Sequence, residues 1–299
     1  MTTQLLCMSG HLLPNRGVPL PIILNQDISK LVAMNQRAAD YEGEYSMDQM
    51  TVGGVTLDLE VQGSGPPLLY LHAEHYHHLQ QPFIDRLAES WTVHAPRHPG
   101  FDGRTPPEDF RRIDDLAYLY LDLMAQLDLD DVTLAGASFG GWIALEMAVR
   151  SASRLSALAL ITPLGVRLGA RDERDFTDLF ALPEAERERA LFAGTPPDFA
   201  TFSEDQLTAT AHDRQYVAYY AWKPYLYNPS LARWLHRATV PTHLIWGGED
   251  GFVSPDYGRK LAARMPGAKL DVISGAGHYP QIERLDDTMA ALRAGPCAP

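Results

Sequence analysis

Short apolar runs alternate with amphipathic stretches along the chain from about Met50 onward. Two β-type runs come first, at 50–52 and 55–61, and the Gly53-Gly54 pair between them is typical of a hairpin turn. Six further apolar runs predict buried strands, at 68–72, 91–95, 132–134, 156–161, 242–246 and 269–273. The pattern therefore predicts an eight-stranded sheet that is mostly parallel.

Helical periodicity fills most of the gaps between these strands. In residues 81–90, Phe83, Ile84 and Leu87 fall on one face of a helix. Further helices are predicted at 114–127, 142–149, 257–265 and 285–292. Because strands alternate with helices, we expect an α/β fold whose sheet is flanked by helices on both faces.

The alternation stops between residues 165 and 236. This stretch contains no strand-like run; it is acidic and arginine-rich at first and then rich in aromatic residues. We interpret 165–236 as a helical cap inserted into a core domain made of 49–164 and 237–299. Residues 1–48 form an N-terminal extension with one short helical pattern at 28–39, whose role as a docked arm, an interface element or a partly disordered segment stays open.

The most informative local pattern is Gly136-Ala-Ser138-Phe-Gly140, which joins a predicted strand to a predicted helix. Such a strand-to-helix turn is very tight, and glycines on either side of the serine keep Cβ atoms out of crowded positions. The serine hydroxyl then projects from the sheet edge, and the first amides of the helix point at whatever binds there. Ser138 is therefore the candidate nucleophile.

Two polar candidates follow later strands of the predicted sheet. Asp250 comes just after the run that ends at Trp246, and His278 comes after the run that ends at Ile273. Ligands bind at the carboxyl ends of strands in open α/β sheets. An imidazole can take the proton of a serine hydroxyl, and a buried carboxylate can orient that imidazole. Glu249 is an alternative carboxylate.

With these motifs in the order Ser138, Asp250, His278, the chain resembles the α/β-hydrolase superfamily over about residues 50–294. It is most similar to capped serine hydrolases, which include small esterases and carbon–carbon-bond hydrolases. The stretch 277–283, Gly-His-Tyr-Pro-Gln-Ile-Glu, is especially like the histidine loop of that family. The resemblance selects Asp250 over Glu249 as the acid, implies no cofactor, and argues against families with aspartate at the nucleophile position.

The resemblance also implies an oxyanion hole made of two backbone amides. One is the N–H of Phe139, and the other is the N–H of Glu74, with Ala73 as the second choice. Here the sequence departs from the family, because His72-Ala73 replaces the usual His-Gly pair. An ionised carboxylate at Glu74 would oppose a developing oxyanion by like charge. Its side chain is therefore paired, protonated or turned away, and we expect it to be turned away.

Histidines are unusually frequent in the segment 72–78. A metal site built from His75, His77 and Glu74 is conceivable, but the spacing fits no site that we can derive, and we expect no metal. His94 falls within a strand pattern and His98 within the turn that follows it, so we interpret both as structural.

Candidate pocket residues are aromatic, as is usual for sites that bind small apolar ligands. Two of them flank the nucleophile and three lie on the cap or the histidine loop: Phe139, Trp142, Tyr216, Tyr220 and Tyr279.

Charge and composition exclude several partners. The net charge is −13, from 25 basic and 38 acidic residues, which argues against binding to nucleic acid or to an anionic membrane surface. No apolar run approaches the ~20 residues of a membrane helix, and the start lacks a signal-peptide pattern. The two cysteines, Cys7 and Cys297, imply no disulfide framework. We expect a cytoplasmic protein with a small-molecule substrate, with a homodimer as an open alternative.

The sequence thus predicts a serine hydrolase that cleaves a small to medium carboxylic ester with an apolar or aromatic part. Cleavage of a carbon–carbon bond in a diketone-like substrate is the second choice, followed by lactone or amide hydrolysis. A ligand-binding relative with a misaligned triad is the non-enzymatic alternative.

Overall fold

A computed structural model describes residues 48–101, 103–170 and 172–299. The helical pattern at 28–39 and Cys7 lie outside the described residues, as does the predicted extension up to residue 47.

The predicted eight-stranded sheet is confirmed. The strands of the described chain are β1 (Asp48–Val52), β2 (Val55–Gln62), β3 (Pro67–Leu71), β4 (Thr92–Pro96), β5 (Val132–Ala137), β6 (Leu155–Ile161), β7 (Gly165–Val166), β8 (Tyr227–Asn228), β9 (Thr242–Gly247) and β10 (Lys269–Ile273). The strand order of the eight-stranded sheet is β1-β2-β4-β3-β5-β6-β9-β10. β1 and β2 pair antiparallel, as do β2 and β4, and all other neighbours are parallel.

Helices follow the strands as the periodicity predicts. They are α1 (Gln81–Ala88), α2 (Ile113–Gln126), α3 (Phe139–Arg150), α4 (Glu184–Leu191), α5 (Glu204–Ala221), α6 (Leu231–Trp234), α7 (Pro255–Ala262), α8 (Pro280–Glu283) and α9 (Leu285–Ala294). In α3 every residue from Phe139 to Val149 is buried, which explains why its sequence is apolar on all sides.

The segment 165–236 contains α4, α5 and α6, in agreement with its helical pattern. The prediction that it holds no strand is wrong at one place, because β7 and β8 form a small parallel pair with Gly165 opposite Tyr227 and Val166 opposite Asn228. Two residues are too few to create an apolar run, so the sequence gives no signal. The pair joins the beginning of the segment to its last third.

The start of α3 lies unusually close to the end of β3. A Cβ atom on Gly140 would stand 2.1 Å from the carbonyl oxygen of Leu71, and one on Gly136 would stand 2.5 Å from the carbonyl oxygen of Gly140. Only glycine, which has no Cβ atom, fits at positions 136 and 140. The contact brings the loop after β3 next to the first turn of α3.

No helix in the described residues is both long enough and apolar enough to span a bilayer.

We expect Gly140→Ala to lower the free energy of unfolding by about 3 kcal/mol or more, because the added methyl group collides with backbone. Gly194→Ala is the matched control, since its Cβ would meet nothing closer than Glu283 Oε1 at 3.5 Å. Chemical denaturation of both variants measures the effect. Equal stability of the two variants would contradict the close contact between α3 and β3.

Candidate active site

Ser138 occupies the turn between β5 and α3 in a strained conformation, with φ 48° and ψ −109°. Its backbone N–H donates to the carbonyl of Ile161 at 2.8 Å, and its carbonyl accepts from the N–H of Trp142 at 3.0 Å. The turn is thus held by β6 on one side and by α3 on the other. A positive φ at a non-glycine residue is costly and is found preferentially at functional sites.

Asp250 lies in the loop after β9 with its carboxylate fully engaged. Its Oδ1 accepts from the backbone N–H groups of Phe252 (2.9 Å) and Val253 (2.8 Å). Its Oδ2 lies 2.8 Å from Nδ1 of His278. Two amides therefore fix the carboxylate, which in turn fixes the orientation of the imidazole.

His278 connects this carboxylate to the serine, because its Nε2 lies 2.6 Å from Ser138 Oγ. The backbone N–H of His278 donates to the carbonyl of Leu191 at 2.7 Å, and its carbonyl accepts from the hydroxyl of Thr162 at 2.8 Å. Ser138 and His278 are both fully buried. The structure brings the three residues together in one unbroken line of hydrogen bonds.

Glu249 does not join this line. Its Oε2 accepts from the backbone N–H of Ala276 at 3.0 Å, so it braces the histidine loop from outside. The geometry therefore agrees with the choice of Asp250 over Glu249.

The charged groups around His278 favour the protonated form of its imidazole. Burial opposes charge on His278, but Asp250 and then Glu74 outweigh it, and the pKa of His278 lies above its ordinary value. An imidazole with this pKa is a strong base when it is neutral, as proton abstraction from a serine hydroxyl requires.

The prediction that the Glu74 side chain turns away from the site is wrong. Glu74 is 2 % exposed, and its Oε2 accepts from the backbone N–H of Phe139 at 3.1 Å. Its Oε1 accepts from the hydroxyl of Tyr279 at 2.8 Å and lies 3.9 Å from Nε2 of His278. Burial alone would raise the pKa of Glu74, but His278 and hydrogen bonds with Ser138 and its own backbone lower it, which favours the ionised carboxylate.

The backbone N–H of Ala73, the second choice for an oxyanion donor, already has an acceptor. Its N–H donates to Oε1 of Gln80 at 3.2 Å, and the same oxygen accepts from the hydroxyl of Tyr70 at 2.7 Å. Nε2 of Gln80 donates to the carbonyl of His75 at 2.9 Å. Gln80, which sequence reasoning missed, thus holds the whole loop after β3 in place.

His72, His75 and His98 are buried, and His77 and His78 are half-buried. Burial and neighbouring cations hold the pKa of His72 and of His77 well below the ordinary value, and burial lowers the pKa of His98 to about 3. His72 Nε2 accepts from the backbone N–H of His98 at 3.0 Å, and Nδ1 of His98 lies 2.6 Å from the hydroxyl of Tyr120. Across the described chain no group of three or more potential ligands is arranged to hold a metal.

His94 is also buried, in β4, where burial lowers its pKa. Its position agrees with the structural interpretation of that residue.

Glu74, whose Oε1 lies 3.9 Å from Nε2 of His278, forms part of the wall of a small cleft with a volume of about 30 Å³. Apart from Glu74 and His75, most of its lining is apolar: Leu164, Leu179, Phe180, Val217, Tyr225, Leu226 and Phe252. Two arginines complete it, Arg187 on α4 and Arg214 on α5. Sequence reasoning missed both, because charges on cap helices are usually solvated.

The five aromatic residues predicted to line the pocket are buried but do not form the wall of this cleft. Phe139 packs against His98 and Phe101, with ring centroids 5.7 and 5.5 Å apart. The hydroxyl of Tyr220 donates to the carbonyl of Pro99 at 3.1 Å, and the ring of Tyr216 covers Gly100. Tyr216 and Tyr220 therefore pack the predicted cap onto the core.

The other two predicted pocket residues, Trp142 and Tyr279, have polar partners. The indole N–H of Trp142 donates to Glu146 at 3.1 Å, while the hydroxyl of Tyr279 holds Glu74.

Glu283, at the end of the predicted histidine-loop motif, has an organising role. Its Oε2 accepts from the N–H of Gly277 at 2.6 Å, and its Oε1 accepts from the N–H groups of Ala193 and Gly194, both at 2.9 Å. One carboxylate therefore joins the histidine loop to the segment after α4.

A strained serine after a central strand, with histidine and aspartate from later strand ends, is the arrangement of an α/β-fold hydrolase. Residues 63–292 match the alpha/beta hydrolase family, and the chain belongs to it.

Relatives of known sequence and structure agree with this membership. An uncharacterised protein of Mycobacterium tuberculosis is 25% identical over 82% of this chain and 84% of its own length. A 2-hydroxy-6-oxononadienedioate/2-hydroxy-6-oxononatrienedioate hydrolase of Cupriavidus pinatubonensis is 25% identical over 54% of this chain and 60% of its own. The structure of an esterase from Exiguobacterium antarcticum superimposes with a TM-score of 0.69 at 20% identity, covering 83% of this chain and 98% of the other.

Titration of the imidazoles will separate His278 from the structural histidines. We expect His278 to change protonation above the ordinary histidine value of about 6.5, whereas His98 and His75, with pKa values of about 3 and about 4, stay neutral at pH 5. Long-range proton–nitrogen NMR of the ring nitrogens measures this, and His278→Gln identifies the His278 signal. Protonation of His98 between pH 5 and 7 would contradict the assignment.

Proposed function

We propose that this protein is a serine hydrolase that uses Ser138 as nucleophile, His278 as base and Asp250 as the group that orients the base. The observation that carries the proposal is the line of hydrogen bonds from Asp250 through His278 to Ser138, at 2.8 and 2.6 Å. Burial of all three groups protects that line from water and strengthens its electrostatic interactions.

In the first half-reaction, His278 Nε2 accepts the hydroxyl proton as Ser138 Oγ bonds to the acyl carbon. The tetrahedral oxyanion then collapses, the bond to the alcohol oxygen breaks, and the alcohol leaves with the proton from His278. In the second half-reaction His278 deprotonates a water molecule that attacks the acyl-enzyme. Release of the carboxylic acid restores Ser138.

The first amides of α3 support the oxyanion role of Phe139. Its N–H follows the nucleophile directly and already donates to an anionic oxygen, that of Glu74. The backbone N–H of Glu74 is the second proposed donor. The N–H of Phe139 opens α3, and Gln80 holds the loop that carries Glu74, so both amides are positioned before attack.

The lining of the cleft supports a substrate with an apolar or aromatic acyl group. Leu179, Val217 and Phe252 are among the side chains that would contact it. In this proposal residues 165–236 are the cap, and α4 and α5 supply the wall opposite the core.

The two arginines favour carbon–carbon hydrolysis as a second candidate function. Nε of Arg187 pairs with Glu188 at 3.3 Å, while its Nη2 is buried without a hydrogen bond, 3.9 Å from Glu184. Arg214 lies over the ring of Phe199 at 5.8 Å. A guanidinium group suits a carboxylate ligand, and the Cupriavidus relative is named for dioate substrates. A diketone-like acid would place its carboxylate against these arginines while Ser138 attacks its ketone.

Loss of the nucleophile or of the orienting carboxylate should remove activity. We expect Ser138→Ala to abolish hydrolysis of p-nitrophenyl esters and labelling by a serine-reactive fluorophosphonate. Asp250→Asn should lower kcat about 10³- to 10⁴-fold, since it leaves the wrong tautomer facing serine.

Glu249→Gln is the matched control for the acid, because it removes a neighbouring carboxylate that does not contact His278, and it should keep near-normal rates. Mass spectrometry of the labelled peptide locates the adduct. Equal ester turnover by wild type and Ser138→Ala would contradict the proposal.

The two candidate substrates are separated by the cleft arginines. If acids are the natural substrates, Arg187→Ala and Arg214→Ala should raise KM for a carboxylate-bearing diketone about tenfold and leave KM for a neutral ester nearly unchanged. Arg189→Ala, an exposed position on the same helix as Arg187, is the control. Steady-state kinetics on both substrates decide; equal effects on both would exclude carboxylate recognition by these arginines.

A further inference from the structure

The oxyanion hole that the proposed mechanism needs already contains an anion, the carboxylate of Glu74. Its Oε2 takes the N–H of Phe139 at 3.1 Å, and its own backbone N–H contributes to the lowered pKa of the carboxyl. The N–H groups of Phe139 and Glu74 are the two amides that the proposed reaction assigns to the substrate oxygen. The hydroxyl of Tyr279 secures the other oxygen at 2.8 Å.

From this geometry, and resting on the proposed function, we propose that Glu74 is a rate- and specificity-determining residue. Its carboxylate fills the oxyanion hole of the resting enzyme, and a substrate must displace it before Ser138 can attack. The residue does not take part in bond making; it competes with the substrate oxygen for the same donors.

Displacement is required on electrostatic grounds. A tetrahedral oxyanion and an ionised carboxylate cannot share two amide donors, since like charges repel strongly in a buried site. The carboxylate is buried and close to His278, and its lowered pKa favours the charged form. Its charge, 3.9 Å from Nε2 of His278, also helps to raise the pKa of that imidazole.

The cleft gives the displaced carboxylate somewhere to go. Glu74 itself lines the cleft together with the guanidinium groups of Arg187 and Arg214. A carboxylate that leaves the amides can therefore turn towards cations rather than towards a purely apolar wall.

The consequence is selectivity for substrates that fill the apolar part of the cleft and leave the space beside Arg187 and Arg214 to the displaced carboxylate. Contacts between the acyl group and the cleft must supply the free energy that removes Glu74 from its donors. A short acyl group has few such contacts and reacts slowly, whereas a long one reacts well. Removing the carboxylate should flatten this dependence on acyl length.

The test compares wild type with Glu74→Ala, Glu74→Gln and Glu60→Gln. Glu60→Gln removes another buried carboxylate, one on β2 that accepts from Nε2 of Gln81 and lies outside the hole, and serves as the control. We expect Glu74→Ala to raise the rate of fluorophosphonate labelling at Ser138 about tenfold or more, since each oxyanion donor is commonly worth at least that much. Glu60→Gln should stay within about twofold of wild type.

Three further readouts report on the hole itself. In Glu74→Ala, kcat/KM for an acetyl ester should rise by a larger factor than kcat/KM for a hexanoyl ester. Added sodium acetate should inhibit Glu74→Ala saturably at constant ionic strength, because acetate restores the missing carboxylate, and should leave the wild type unaffected. In Glu74→Gln, the acid limb of the kcat/KM profile should move to lower pH, because the pKa of His278 falls when a neighbouring negative charge is removed.

Tyr279→Phe provides a second test in case Glu74→Ala fails to fold. It keeps the carboxylate and removes the hydroxyl that holds it, so labelling should quicken by a smaller factor, about two- to fivefold.

If the wild type is labelled at Ser138 and the Glu74 variants react more slowly or show no acetate inhibition, the role of Glu74 is overturned while the serine mechanism stands. If neither wild type nor any Glu74 variant is labelled, both fail.

Discussion

The contact between Gly140 and the carbonyl of Leu71 is the constraint on which the site depends. It presses the first turn of α3 against the end of β3, and no side chain fits between them. The same contact places the loop that follows β3 beside the turn at Ser138. Ser138 must then adopt a strained conformation, and the cost is met by the packing of α3, whose residues from Phe139 to Val149 are all buried.

Much of this architecture could be predicted from the sequence, and the reasons are local. The sheet follows from apolar runs such as Leu68–Leu71, and Ser138 follows from glycines whose spacing only a tight turn requires. Asp250 and His278 follow from their positions after strands whose carboxyl ends meet. The orientation of Glu74 could not be predicted in the same way. It depends on the N–H of Phe139 and the hydroxyl of Tyr279, which the fold brings together from 65 and 205 residues away along the chain.

Charge in the segment 165–236 was equally hard to interpret. α4 has the sequence Glu-Ala-Glu-Arg-Glu-Arg-Ala-Leu, which is typical of a solvated helix, yet the side chain of Arg187 is only 15% exposed. It is buried because Glu188 pairs with it at 3.3 Å and also accepts from the hydroxyl of Tyr76 on the core. The aromatic face of α5 misled in the opposite direction, since Tyr216 and Tyr220 stack on the core instead of lining the cleft. Contacts with the core decide both the burial of Arg187 and the packing of the α5 tyrosines. The residue pattern of a single helix does not reveal such contacts.

The end of α4 has a consequence for how a ligand reaches the serine. The carbonyl of Leu191 receives the N–H of His278 at 2.7 Å, and the carbonyl of Ala190 receives the N–H of Gly251, next to Asp250, at 3.0 Å. A movement of α4 away from the sheet would therefore displace His278 and the loop of Asp250 together. Because these two hydrogen bonds tie α4 to both loops, we expect a ligand to enter the cleft while this end of α4 stays in place.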